Sequence, residues 1–353
     1  MNEGKNPERL LTDLIRQHLD AGLFTHCSIA AGRLKDRTDS IRLNLSTGDP
    51  GLEVYDLASL TKALVTTPLY FAAIDAGAPA GDRPLADWDP DHPALALPLL
   101  RGVTAGSLLA HRSGLPAWRN FWVNLAGPQG FPPLDGIGRG RLVADVLRRC
   151  DVRTRPDAGM VYSDVGFILL GLALEGFGGK PLDALFADFL AAEIPAIPAG
   201  GLCFRPGAGE ACVPTARCEL RDRLLQGEVH DENAAALGGV SGHAGLFGSA
   251  ESVSELLRGF YRSPTGRILL EQNRIAAAGP DRWLQGWQNH FGFSALSGGI
   301  GHLGFTGTAF RVDAGGRRYG VLLTNRVISG RRSPVINDFR REAFRLMDQI
   351  VTA

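Results

Sequence analysis

The clearest strand-like segments of this 353-residue chain lie near its two ends. Close to the N-terminus, THCSIAAGRL and SIRLNLSTG predict two strands, and near the C-terminus residues 299–310 and the run RRYGVLLTNRV predict two more. A helix with Asn6 as cap and Pro7 in its first turn precedes the first pair, and an amphipathic helix starting at Ser333 and Pro334 follows the last. The two ends of the chain are therefore expected to share one sheet.

The long middle of the chain reads as helical segments separated by loops rich in glycine and proline, such as PAGDRPLADWDPDHPALALP. We therefore predict an α/β fold of the α+β type, with an antiparallel sheet built from both chain ends and flanked by the terminal helices. Residues 1–75 and 285–353 would form this α/β domain. Residues 76–284 would form a mainly helical inserted region that partly returns to the sheet near 240–262, and a cleft between the two is the expected binding site.

The charge balance excludes some partners. Lysine plus arginine equals aspartate plus glutamate at 37 each, so the chain has no excess charge to hold a nucleic acid or an anionic membrane surface. The N-terminal residues contain no unbroken apolar stretch of the kind that spans a membrane or directs secretion. A cytoplasmic location is the simplest expectation, with a periplasmic or secreted one left open.

The five cysteines are odd in number and lack CxxC spacing, which favours reduced thiols over a disulfide framework. A metal site built from Cys212, Cys218 and His230 would lack a recognised ligand spacing. We predict neither a metal nor another cofactor.

A candidate nucleophile lies in YDLASLTKALVTTPLYFAAIDAG, which predicts an apolar helix from about Ser59 to Ala76 that ends at Gly77. Ser59 and Lys62 are three residues apart, so hydroxyl and amine share one helix face and the amine can take up the hydroxyl proton. The free N–H groups of a helix start also favour an oxyanion. Taken alone, the same pattern fits a capping serine at an exposed helix start.

Two later segments carry compatible chemistry. AGMVYSDVGFILLG places Tyr162 and Asp164 in a polar break just before an apolar helix. GGIGHLGFTGTAF places His302, Leu303 and Gly304 in a strand flanked by glycines, where a substrate backbone could approach closely.

The order of these three segments resembles the SxxK, Tyr-x-Asn and Lys-Thr-Gly or His-Thr-Gly set of serine β-lactamases and penicillin-binding proteins. LLAHRSGLPAW is similar to a signature of the class C β-lactamase, D,D-peptidase and esterase branch. GEVHDENAAALGGVSGHAGLFGSA resembles a block of β-lactamase-related serine hydrolases. The similarity covers roughly residues 50 to 330.

The resemblance implies roles for individual residues. Ser59 would be the nucleophile, Lys62 its proton partner, and Tyr162 the hydroxyl that carries protons to the leaving group. The backbone N–H groups of Ser59 and Phe305 would form the oxyanion hole. A tyrosine near two cationic groups is expected to have a stabilised phenolate that serves as a base near neutral pH.

The predicted substrate-binding residues include three departures from the family pattern. Asp164 stands where many relatives carry asparagine, His302 replaces the usual lysine, and Leu303 replaces a threonine that helps to hold a substrate carboxylate. Gly304 and Arg326 complete the set, and Arg326 could reach a carboxylate from a strand end or serve the scaffold. Losing the lysine and the threonine predicts weak affinity for β-lactams that carry a carboxylate.

Three other polar positions are interpreted as structural. His111 would lie at a helix end, and His243 in GHAG is treated in the same way. Residues 230–232 (His-Asp-Glu) could form a metal or acid/base cluster, but a capped helix or an ordered loop fits them better.

These observations predict a serine hydrolase that acts through a Ser59 acyl-enzyme on a small ester, a D-amino-acid amide in the manner of a D,D-carboxypeptidase, or weakly a β-lactam. The alternative is a non-catalytic binding or regulatory protein on the same scaffold. The expected partner is a small ester, amide or peptide substrate.

Overall fold

The computed structural model describes residues 6–123, 131–149, 159–198, 200–207, 211–279, 283–289, 299–331 and 335–352. The strands within these ranges are β1 (His26–Arg33), β2 (Ile41–Ser46), β3 (Tyr55–Asp56), β4 (Leu202–Phe204), β5 (Arg217–Cys218), β6 (Arg223–Leu224), β7 (Leu246–Gly248), β8 (Gln288–Asn289), β9 (Ile300–Leu303), β10 (Ala309–Val312) and β11 (Arg318–Thr324). The α-helices are α1 (Pro7–Asp20), α2 (Thr67–Asp75), α3 (Ala105–Leu109), α4 (Gly136–Arg149), α5 (Asp164–Gly178), α6 (Leu182–Glu193), α7 (Glu232–Ala236), α8 (Ala250–Arg262), α9 (Pro264–Ala277) and α10 (Val335–Thr352).

The large sheet joins the two ends of the chain, as predicted. Its order is β2-β1-β11-β10-β9-β8, and neighbouring strands are antiparallel. β1 lies next to the edge strand β2 and pairs with it on one side and with β11 on the other, with Ile29 opposite Leu322.

The terminal helices cover one face of this sheet. Alternate residues of β1 point to opposite faces, so Cys27, Ile29 and Ala31 meet the apolar sides of α1 and α10. α1 begins as predicted, because the Asn6 side chain accepts a hydrogen bond from the N–H of Glu8 at 2.9 Å. Residues 333 and 334, where α10 was expected to start, lie outside the described residues.

The other face of the sheet packs against the inserted region. Ala30 of β1 and Val321 and Leu323 of β11 join a core cluster that also contains buried residues of α2, α5 and α8. The chain near 240–262 returns to the large sheet as helix α8, whereas strand β7 pairs with β3 and β4 in a separate three-stranded sheet. The division at residues 75/76 and 284/285 remains a prediction.

The helix that follows Ser59 departs from the predicted regular α-helix. Residues Lys62–Thr66 form a π-helical turn, and α2 follows it. The backbone N–H of Thr67 donates to the carbonyl of Lys62, and the Thr67 hydroxyl donates to the same oxygen at 2.7 Å. Pro68 has no N–H to continue an α-helical ladder, so the chain widens just before it.

Helix α5 is apolar and almost fully buried, and its N-cap is the side chain of Ser163. Within the described ranges, no single helix is long and apolar enough to cross a membrane. The bent pair α5 and α6, at 69° to each other, meets that test only when the two are taken together.

Candidate active site

Ser59 lies at the junction between the small sheet and the π-helical turn. Leu57 donates its N–H to Leu246 of β7, and Ala58 adopts a positive φ of 48°, which is rare for a residue with a side chain. The Asp56 carboxylate holds this conformation by accepting from the N–H of Ala58 at 2.8 Å. Its other oxygen accepts from the N–H of His230 at 2.6 Å, and burial raises the pKa of Asp56 to about 6. Ser59 is thus presented, half-buried, from a tightly held turn.

Lys62 is fully buried directly behind Ser59. Its Nζ lies 3.0 Å from Ser59 Oγ, 3.0 Å from the carbonyl oxygen of His243 and 2.8 Å from Asp164 Oδ1. Burial is the largest single influence and lowers the pKa of Lys62, but Asp164 and Tyr162 together more than offset it, so the pKa is raised overall.

Tyr162 forms hydrogen bonds with both Lys62 and Ser59. Burial and the negative charge of Asp164 raise its pKa, and the Lys62 ammonium only partly opposes them. The expectation of a phenolate held between two cations is therefore wrong, because Lys62 is a cation here whereas His302 is neutral. At rest, Tyr162 is a phenol.

His111 holds the loop that carries Tyr162. Its carbonyl accepts from the N–H of Val161 at 2.9 Å, and its Nδ1 accepts from the N–H of Ser163 at 3.1 Å. The imidazole also packs on the Tyr162 ring at 4.7 Å between centroids. His111 therefore has a structural role, as the sequence indicated: it binds the residues before and after Tyr162 and so fixes the position of Tyr162.

His302 is buried on β9 and faces the site. Its Nδ1 lies 2.9 Å from the carbonyl oxygen of Leu303, so Nδ1 carries the proton and Nε2 is an acceptor. Burial and the Lys62 charge lower the pKa of His302 to about 3. A neutral ring therefore occupies the position where the family pattern has an ammonium group.

The turn between β9 and β10 is tied to the segment that presents Ser59. The hydroxyl of Thr306 donates to the carbonyl of Asp56 at 2.7 Å, and that of Thr308 donates to the carbonyl of Leu57 at 3.2 Å. In the described part of the chain, the backbone N–H groups of Ser59 and Phe305 donate to no acceptor. Both are available to an oxyanion.

Gly304 lies where the two segments come closest. A Cβ atom on Gly304 would stand 2.9 Å from the carbonyl oxygen of Leu57 and would overlap the Thr308 hydroxyl. The close approach of this turn to Leu57, two residues before Ser59, therefore requires a glycine at this position.

Asp231 and His243 support Lys62 from below. Asp231 caps α7 through the N–H of Ala234 at 2.8 Å and accepts from Nε2 of His243 at 2.9 Å, while Ser241 contacts Nδ1 of that ring at 2.9 Å. Although burial opposes it, His243 holds the pKa of Asp231 well below its usual range. The capped helix predicted for this segment is present. The network fixes the His243 carbonyl that accepts from Lys62.

A cavity of about 750 Å³ opens above Ser59. It brings together the predicted residues Ser59, Tyr162, Asp164, His302, Leu303, Gly304, Phe305 and Arg326. Lys62 does not line the cavity and lies buried behind Ser59. The described ranges contain no group of three or more His, Cys, Asp or Glu side chains arranged to hold a metal ion.

The cavity also contains residues that sequence reasoning missed: Trp118, Trp283, Asn337 and Arg340. Trp118 closely follows the LLAHRSGLP segment, which was a usable signal. Asn337 and Arg340 belong to the C-terminal helix, and only the packing of α10 on the sheet brings them to the site.

Arg326 does not follow the simple picture of a group that reaches for a substrate carboxylate. It is buried, with Nη2 donating to the carbonyl of Phe305 at 2.6 Å and Nη1 to that of Arg331 at 3.0 Å. Its guanidinium lies 5.0 Å from the centre of the Phe305 ring. These contacts favour the scaffold interpretation, and a direct role in substrate binding stays a prediction.

Comparisons with known proteins agree with this geometry. A family model described as beta-lactamase matches residues 50–344. The N-acetylmuramyl-L-alanine amidase of Bacillus subtilis is 27% identical over 322 residues, covering 80% of this chain and 69% of that protein. The structure of D-amino acid amidase from Ochrobactrum anthropi matches with a TM-score of 0.69 at 17% identity, covering 98% and 99% of the two chains. That of EstCE1, a hydrolase with promiscuous acyltransferase activity, matches with a TM-score of 0.68 at 19% identity and the same coverage.

Proposed function

Because the chain belongs to the β-lactamase family and is a serine hydrolase, we propose that Ser59 attacks the carbonyl of an ester or a D-amino-acid amide and forms an acyl-enzyme. The observation that carries this proposal is the 3.0 Å contact between Lys62 Nζ and Ser59 Oγ at the floor of an open cavity. The Tyr162 hydroxyl is hydrogen-bonded to both Lys62 and Ser59. The nucleophile Ser59, its proton partner Lys62 and the second hydroxyl, Tyr162, are thus close enough to exchange protons directly.

The proton inventory defines the reactive form. At rest, both Lys62 and Tyr162 are protonated, so neither can act as a base. The pair must first lose one proton, after which it accepts the Ser59 proton as Oγ bonds to the substrate carbonyl carbon. Tyr162 lines the cavity and Lys62 does not, so Tyr162 passes that proton to the leaving alkoxide or amine. A water molecule then repeats the sequence and releases the acid.

The oxyanion of each tetrahedral intermediate would accept hydrogen bonds from the N–H groups of Ser59 and Phe305. Both donors are held in advance by the Thr306 and Thr308 hydrogen bonds to the segment before Ser59. Donors that need no reorganisation during the reaction supply most of the electrostatic stabilisation in such sites.

The lining of the cavity supports a substrate that carries no carboxylate. Trp118, Trp283 and Phe305 offer aromatic surfaces, and Leu303 is apolar where the family pattern has a threonine. His302 is a neutral acceptor, which cannot hold a carboxylate as an ammonium group would. We therefore place simple esters and D-amino-acid amides ahead of β-lactams that carry a carboxylate.

Covalent labelling tests the nucleophile. A fluorophosphonate should label the wild-type protein once, at Ser59, and Ser59→Ala should abolish both labelling and hydrolysis. Ser241→Ala is the matched control, because Ser241, His243 and Asp231 form a second serine–histidine–aspartate arrangement. It should keep its labelling. Labelling that persists in Ser59→Ala would refute the proposed nucleophile.

A substrate panel tests the specificity. Short-chain esters, D-Ala-D-Ala peptides and a chromogenic cephalosporin should be compared at one pH in the wild type and in the His302→Lys, Leu303→Thr double variant. One regained charge-assisted hydrogen bond should shift the ratio of kcat/KM values toward the cephalosporin by about ten- to a hundredfold. If the wild type already prefers the cephalosporin to every ester, the proposed specificity is wrong.

A further inference from the structure

Arg340 lies on α10, far from the catalytic segments in sequence, yet it contacts the turn that carries Phe305. It is 5% exposed, and its Nη2 donates to the carbonyl of Gly304 at 2.8 Å and to that of Thr308 at 2.9 Å. The carbonyl of Gly304 belongs to the same peptide group as the N–H of Phe305. The Arg340 guanidinium therefore binds the carbonyl oxygen of the Gly304–Phe305 peptide, whose N–H would face the oxyanion.

A hydrogen bond to the carbonyl oxygen of a peptide group also affects the N–H of the same group. The group is planar and trans, so its C=O and N–H bonds point in opposite directions. A donor that fixes the carbonyl oxygen also fixes the direction of the N–H. Positive charge at the oxygen also polarises the group and makes the N–H a stronger donor, as in chains of hydrogen bonds.

The charge of Arg340 is available for this purpose. Among the described residues no carboxylate forms an ion pair with it, and its Nη1 contacts the neutral Asn337 side chain at 3.4 Å. Elsewhere on α10, the Asp348 carboxylate is taken by Arg311 at 2.6 Å. A buried arginine without an acidic partner is costly unless its surroundings use the charge.

Arg326 holds the next peptide in the same way. Its Nη2 donates to the carbonyl of Phe305, which belongs to the Phe305–Thr306 peptide group. The side-chain hydroxyl of Thr306 in turn donates to the backbone carbonyl of Asp56. The peptides on both sides of Phe305 are thus fixed, so the Phe305 N–H cannot rotate away from Ser59 without breaking charge-assisted bonds.

We propose that Arg340 is a positioning residue of the oxyanion hole: it orients and polarises the Gly304–Phe305 peptide so that the Phe305 N–H stabilises the transition state. This inference rests on the proposed role of that N–H in the Ser59 reaction. It assigns to the C-terminal helix a part in turnover without any contact between Arg340 and the reacting atoms.

Kinetics and a spectroscopic signal test the proposal together. Arg340→Gln should lower kcat for a neutral ester by about 10- to 100-fold with little change in KM, because the oxyanion forms only after the substrate is bound. The carbonyl stretch of the acyl-enzyme, measured by infrared difference spectroscopy, should move to higher wavenumber. Affinity for a boronic acid, which places an oxygen in the oxyanion hole, should fall by the same factor as kcat/KM.

Two further variants make the result decisive. Arg340→Lys keeps the charge and most of the stem but replaces the rigid planar guanidinium with a shorter, flexible ammonium group, so its kcat and carbonyl frequency should lie between those of the wild type and Arg340→Gln. Arg311→Gln removes another buried arginine that contacts α10, and it should leave the carbonyl frequency unchanged. If Arg340→Gln does not fold, Arg340→Lys carries the test.

The outcomes separate the two proposals. Wild-type kcat and carbonyl frequency in the folded Arg340 variants would overturn the positioning role, while labelling at Ser59 would continue to support the nucleophile. A carbonyl shift of the same size in Arg311→Gln would also overturn it, because the effect would then be a general one of loosening α10. Loss of the Ser59 assignment would appear separately, as hydrolysis that survives in Ser59→Ala.

Discussion

A single carboxylate, that of Asp164, controls the protons of the site. It forms an ion pair with Lys62 at 2.8 Å and raises the pKa of both Lys62 and Tyr162. An asparagine at this position would keep the shape but not the charge. The aspartate therefore stabilises a fully protonated resting state, and the reactive form has to lose a proton from a pair that holds it firmly.

This balance predicts the pH dependence of Asp164→Asn. In the wild type, kcat/KM for a neutral ester should rise with pH until the pair has lost one proton. Removing the carboxylate lowers both pKa values, so the midpoint of this rise should move to lower pH. Glu232→Gln is the control, since Glu232 lines the same cavity but pairs with Arg331; its midpoint should stay unchanged. A midpoint that stays in place or moves upward in Asp164→Asn would contradict the assignment.

At the scale of elements, the site is a junction between two segments that are about 245 residues apart in sequence. The strand β3 and the turn at Ala58 present Ser59, and the turn after β9 presents Phe305. Two threonine hydroxyls link the two segments directly, and the absence of a side chain at Gly304 lets them approach closely. A small change in this separation should affect the reaction more than the fold.

Gly304→Ala tests that junction. The new methyl group would meet the Leu57 carbonyl oxygen at 2.9 Å and push the turn away from Ser59. Because a displacement of about 1 Å can cost about a hundredfold in rate, kcat/KM should fall by about 10- to 100-fold. Gly102→Ala is the matched control, since no atom lies within 4 Å of a Cβ at that position. Steady-state kinetics and thermal unfolding of both variants provide the measurement, and wild-type activity in Gly304→Ala would show that the junction is not tight.

The sequence predicted those elements whose pattern is local. The strand-like run THCSIAAGRL and the cap at Asn6 sufficed to predict β1 and the start of α1. The π-helical turn escaped prediction because it depends on how the side chain of Thr67 bonds to the carbonyl of Lys62, which a periodicity does not record.

In the candidate site too, the residues that belong to local motifs were predicted, whereas features that depend on packing between distant segments were not. Ser59, Lys62 and Tyr162 were found by motif, and the structure brings them together. The protonated state of Tyr162 and the contact of Arg340 with Gly304 depend on burial and on helix packing. No spacing in the sequence carries that information.

At the scale of the whole molecule, the net charge is zero, yet several buried groups titrate abnormally. Burial is the main cause that lowers the pKa of His302 to about 3, of His230 to about 4, and of His111 well below its usual value. Asp56 has the opposite shift, because its burial raises its pKa to about 6. The stability of the fold should therefore depend strongly on mildly acidic pH.

The sign of that dependence follows from proton uptake on unfolding. Below about pH 6.5 the unfolded chain protonates histidines that stay neutral in the folded protein, so each of the three costs about 1.4 kcal/mol of unfolding free energy per pH unit. Asp56 acts in the opposite direction, because below about pH 6 its folded form takes up a proton that the unfolded form does not. The difference, about two protons, predicts a loss of about 2–3 kcal/mol between pH 6 and pH 5. Urea unfolding at the two pH values measures it, and His302→Gln should remove about 1.4 kcal/mol of that loss. A free energy of unfolding that stays constant or rises between pH 6 and pH 5 would show that these histidines are not held neutral by the fold.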